Sequence, residues 1–66
     1  MSVAKTSEIT ASSSKSFEDA IRKGIDKMSK TVNNIEGAWV KEQKVVVSDG
    51  EITAYRVTMK VTFIVK

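Results

Sequence analysis

The 66 residues predict an α+β fold of β-α-β-β order, a three-stranded antiparallel sheet with one amphipathic helix packed on one face. Three observations carry that expectation. Asp49-Gly50 separates two long alternating segments, which reads as a β-hairpin. A single apolar stripe recurs at three- and four-residue spacing over residues 17–32. A weak strand over residues 3–10 precedes a serine-rich stretch.

In the first strand (VAKTSEIT), Val3, Lys5, Ser7 and Ile9 share one side, and Ala4, Thr6, Glu8 and Thr10 share the other. Neither side is decisively apolar. Such a strand belongs at an edge of the hairpin's sheet, or is covered only within an assembly. Residues 11–15 (ASSSK) read as a polar loop.

Ser16 is a good N-cap, and Asp19 places an acceptor and a negative charge in the first turn of the helix. Phe17, Ala20, Ile21, Gly24, Ile25, Met28 and Val32 form the apolar stripe, with Glu18, Arg22, Lys23, Asp26, Lys27 and Lys30 outside it. Gly24 costs about 1 kcal/mol of helix stability relative to alanine. A close approach of helix to sheet is the expected reason to keep it. Asn33-Asn34 stops the helix, because asparagine tolerates the left-handed conformation of a C-terminal cap.

The hairpin is expected over residues 38–47 and 52–65. An Asp-Gly loop supplies the positive φ that both central positions of a type I′ turn require. Counting outward from it pairs Val47 with Ile52, Gln43 with Arg56, Lys41 with Thr58, Val40 with Met59 and Trp39 with Lys60. Ala38, Val40, Tyr55, Val57, Met59, Val61, Phe63 and Val65 then form the core face. Trp39, Lys41, Gln43, Arg56, Thr58, Lys60 and Thr62 form the opposite, polar face. The only tryptophan is therefore expected away from the core.

A chain this short buries only about 60% of the surface its unfolded form exposes. With no Cys and no His, disulfides and thiolate or imidazole metal sites are excluded. Self-association is left as the expected source of further stability. Residues 1–66 read as one domain, without repeats or linkers. The net charge of +3 is spread along the chain with carboxylates between the lysines, which is a solvated surface and not the basic cluster of a nucleic-acid binder. No apolar run has the length of a membrane span, and the first residues lack a signal-peptide core, so a cytoplasmic protein with no membrane partner is expected.

Without His or Cys, the commonest general base and the best nucleophile are missing, and nothing in the sequence argues for an enzyme. Ser48, Asp49 and Glu51 supply a fragment of a calcium loop, but the turn explains them better, and no metal site is expected. Trp39 has two readings. It fills an interface between subunits, or it is a stacking platform for a flat heterocycle. For the second, Arg56 and Gln43 offer edge hydrogen bonds, and Lys60 and Lys41 are candidates to meet an anionic group or cover the indole.

At this level the chain resembles the dodecin family. The likeness runs through VAKTSEITASSS, SFEDAIRKGIDKMSKTV and VSDGEITAYRVTMKVTF, with YRVTMKVTF the most specific segment. It implies a hollow shell of twelve identical subunits, a non-catalytic role in storing or sequestering flavin, and a flavin (FMN or riboflavin) stacked on a tryptophan of the second strand. The family's tryptophan aligns with Gly37, and Trp39 lies two residues further on, which returns it to the same face. The family's glutamine in the last strand aligns with Arg56. Those departures are similar to a second branch of the family, which implies a shell without flavin that has a structural or calcium-binding role.

Overall fold

A computed structural model describes residues 3–66. Its elements are β1 (Val3–Ser13), α1 (Phe17–Ser29), β2 (Ile35–Ser48) and β3 (Glu51–Val65). The strands form one sheet in the order β1-β3-β2, antiparallel throughout. This is the expected fold class, with the last strand at its centre.

Ser16 caps α1 as its sequence position predicts: its hydroxyl accepts from the Asp19 backbone N–H at 2.9 Å. The helix proper ends at Ser29, three residues short of the expected limit. The chain still turns helically for a few residues, with the Val32 N–H on the Met28 carbonyl at 2.9 Å. Asn34 then adopts φ 63°, the left-handed conformation anticipated for the Asn-Asn pair. Its carbonyl accepts from Ile64 N–H at 3.0 Å, which fastens the connection to the end of β3.

The core is small. Ala20, Val57, Met59 and Val61 are fully buried, and Ile9, Ala11, Phe17, Ile21, Ile25, Met28 and Ile35 pack around them. Phe17 meets Tyr55 edge to face at 5.2 Å. Gly24 has the packing reason expected of it: a Cβ there would stand 2.8 Å from Met59 Cε and 3.0 Å from Ala11 Cβ.

β1 corrects the sequence reading. Ala11, Ser12 and Ser13 are strand, paired with Val57, Arg56 and Tyr55, and not the start of a loop. Their polarity does not prevent pairing, because β3 presents a ladder long enough to hold them. Ser13 is 4% exposed; its hydroxyl donates to Asp19 at 2.5 Å and accepts from the Lys15 N–H at 2.9 Å. The bond from Ser13 holds the Asp19 carboxyl below its usual value, against the opposing effect of partial burial, with help from Lys23 and Lys15.

The hairpin turn is as expected, with Asp49 at φ 51° and Gly50 at φ 74°. The register is not uniform. Val47 pairs with Ile52 and Trp39 with Lys60, both as counted, but between them β3 carries an extra residue at Thr53 and β2 an extra residue at Lys41. The Thr53 hydroxyl donates to the Val46 carbonyl at 3.2 Å. These two bulges cancel at the ends and shift everything between them by one. Gln43 consequently stands opposite Val57, not Arg56, and Arg56 stands opposite Lys44. Lys41 is the bulged residue and has no partner in Thr58, which pairs with Glu42.

α1 packs chiefly on β1 and β3. Ala38 and Val40 lie opposite buried Val61 and Met59, on the face assigned to the core, yet both are exposed. The helix does not extend over their strand.

Candidate functional site

The face of the sheet turned away from α1 is built from cross-strand rows, since paired residues share a side. One row is Glu8, Lys60 and Trp39; the next is Thr10, Thr58 and Glu42; the third is Ser12, Arg56 and Lys44. Lys60 and Arg56 are four residues apart on β3, about 13 Å along the strand.

Trp39 is 78% exposed, the largest apolar side chain left to solvent. Its place follows from the Asp49-Gly50 turn and the paired bulges, which together return β2 to the counted register. A shallow crevice beside it is lined by Trp39, Val40, Lys41 and Lys60. Lys41 reaches across the sheet to Glu8, Nζ to Oε1 3.4 Å. That ion pair is half-exposed and of small energetic weight, but it gives the Lys41 charge a partner.

A second groove on this face is lined by Thr10, Glu42, Gln43, Lys44, Arg56 and Thr58. The Thr10 and Thr58 hydroxyls lie 3.3 Å apart on its floor. Gln43 borders the groove although its strand partner, Val57, is buried beneath the helix.

The five residues singled out from the sequence therefore fall into two groups. Trp39, Lys41 and Lys60 line the crevice, and Arg56 and Gln43 line the groove next to it. Sequence reasoning missed Lys44 and the Thr10–Thr58 pair. Lys44 enters the face only through the bulge at Lys41, and Thr10 through the register of β1 on β3. Neither leaves a mark in composition or periodicity.

The chemistry available is recognition. An exposed indole offers a stacking surface, guanidinium, ammonium and hydroxyl groups stand within the neighbouring rows, and the Gln43 amide borders the groove. These groups suit a planar heterocycle with polar edges. Among the described residues, no three Asp or Glu side chains come together as a metal site would need. No helix among them is long and apolar enough to cross a membrane.

The elements and this face define a helix-backed β-α-β-β module whose second strand is uncovered and carries an aromatic platform. Its family is established by sequence: the Dodecin family profile matches residues 3–66, and the chain belongs to the dodecin family. Solved structures agree. The dodecin from Streptomyces davaonensis is 32% identical, with a TM-score of 0.94 over 98% of this chain and 96% of that one. The calcium dodecin from Mycobacterium tuberculosis, described as a calcium-chelating immunodominant antigen with a novel calcium-binding site, is 31% identical, with a TM-score of 0.84 over 97% and 91%. A Thermus thermophilus dodecin variant shares the fold at 24% identity, with a TM-score of 0.95 over 100% and 98%. No curated protein matches the chain.

Proposed function

We propose that this dodecin is a non-catalytic flavin-binding and storage protein, assembled as a hollow homododecamer, with FMN or riboflavin stacked on Trp39. The observation that carries the reading is the indole itself, 78% exposed on the polar face and flanked by Lys41 and Lys60. An isolated chain has no reason to leave its largest aromatic there, and a stacked ligand between subunits supplies one. Family membership supports both the ligand class and the assembly. The lack of any His or Cys supports a role without catalysis.

Arg56 donates to a ring carbonyl or a tail oxygen but cannot accept from a ring N–H, and Gln43, on the border of the same groove, can do both. Lys60, across from the indole, adds a cation beside the stack.

Titration of the purified oligomer with flavin tests this. Quenching of flavin fluorescence is expected, and its loss in Trp39→Ala. If the wild-type protein does not quench, or Trp39→Ala quenches as well as wild type, the reading fails. The likeness to calcium dodecin supports the other reading, a shell with a structural or calcium-binding role. A colourless preparation whose melting temperature rises with calcium is the result that favours it.

A further inference from the structure

We infer that the tip of the β2–β3 hairpin of one copy seats in the groove between α1 and β1 of the next. In this head-to-tail contact Asp49 and Glu51 meet Lys27 and Lys23. The inference rests on the assembly reading above and specifies which surfaces of the chain join.

The hairpin outruns the rest of the fold. β1 ends at Ser13, opposite Tyr55, and α1 begins at Phe17, which meets the same Tyr55 ring. Beyond that row, residues 46–54 continue as a two-stranded arm for roughly 17 Å, with no third strand beside it. A ribbon of two strands is marginal by itself in water. One side of it is apolar. Val45 is paired with Tyr55 on the side of the sheet that faces α1, and Val47 and Ile52 follow on that side, all three exposed. At the end of the arm Asp49 and Glu51 are exposed and form no ion pair among the described residues.

The groove is the counterpart. It holds about 440 Å³ between α1 and the free edge of β1, with Ile9, Ala11, Gly24 and Met28 as apolar lining and exposed Lys23 and Lys27 beside them. Lys23 is shared with Asp19 at 3.3 Å, whereas Lys27 forms no ion pair among the described residues. An apolar arm ending in carboxylates thus matches an apolar trough edged by ammonium groups.

The two cannot meet within one chain. Gly24 and Ala11 stand beside Met59, on the opposite side of the Tyr55 row from the tip. Each chain carries one arm and one groove, so a second copy of the same chain satisfies both in equal number. A contact between two different surfaces closes into a ring where the rotation allows and runs on as a filament where it does not. A shell requires the ring.

Native mass spectrometry of the whole chain on stepwise dilution, with the charges reversed on each side, tests the contact. Lys27→Glu and Glu51→Lys are each expected to raise the concentration at which the assembly dissociates by at least about tenfold, and the combined variant to recover most of that loss. Both positions are exposed, so the fold of the single chain is expected to survive. A second measurement uses the absence of cysteine from the chain. With Lys27→Cys and Glu51→Cys together, a short bis-maleimide is expected to give a covalent ladder of more than two chains on a denaturing gel, and each single substitution no more than a dimer. Single variants that dissociate like the wild type overturn the contact, as does a combined variant no better than the worse single one. So does a double-cysteine chain with no ladder beyond a dimer. In each of those cases an assembly that persists leaves the assembly reading standing. A wild-type chain that stays single at every concentration leaves the groove to a segment of another protein and overturns both.

Discussion

The two halves of the sheet differ in what covers them. β1 and β3 carry α1, and β3 holds three side chains with no exposure at all, Val57, Met59 and Val61. β2 has no buried residue; Trp39, Val40, Val45 and Val47 are all open, as is Ile52 across from Val47. β1 pairs with β3 without interruption and β2 pairs with it through bulges, yet all three are strand along their length, so the difference in burial comes from what packs on them. The covered half accounts for why a single chain has this shape. The bare half is the surface that other copies and the ligand are proposed to fill, because a strand left apolar and unpaired along one edge is unstable against association.

The largest expected effect breaks the covered half. Met59→Ala empties the centre of the core and is expected to cost roughly 2–5 kcal/mol, lowering the melting temperature at every protein concentration. Val47→Ser in the bare half, where Val47 is 57% exposed, sharpens the contrast. It is expected to make melting more dependent on concentration while leaving the helix-covered core intact. If the two variants behave alike, the division is wrong.

Next in size is Gly24→Val. The new Cβ meets the flexible end of Met59, which can yield, but also Ala11 Cβ at 3.0 Å, which cannot without moving β1. Thermal melts should show a loss of roughly 1–3 kcal/mol despite better helix propensity.

The smallest effect is electrostatic. Asp19 titrates below its usual value in the folded chain, chiefly through the Ser13 hydroxyl. A lowered carboxylate contributes stability that is present above its unfolded value and is lost as pH falls through the folded one. Acid unfolding near and below pH 3.8 should therefore be less steep in Ser13→Ala, with little change in slope at neutral pH.

The sequence made the covered half legible because burial there is local. Three- and four-residue spacing in α1 faces two-residue spacing in β3; Ser16, Asn34 and Asp49-Gly50 each announce a cap or turn geometry that only a few residues favour, and Gly24 announces a close approach of helix to sheet. The bare half was legible only at its ends. Trp39 and Lys60 paired as counted, yet the bulges at Lys41 and Thr53 exchanged Gln43 for Lys44 as the neighbour of Arg56. A bulge inserts one residue without changing residue type, so alternation read from a sequence runs straight through it. β1 was shortened in the reading for a related reason. Ser12 and Ser13 look like loop residues, and their pairing partners are more than forty positions away.

The central claim is that the uncovered strand is completed by further copies of the same chain. Native mass spectrometry of the purified protein, diluted stepwise towards nanomolar concentration, tests it most directly. The account expects a single species of twelve chain masses that persists on dilution. A folded single chain as the stable species at all concentrations would contradict it.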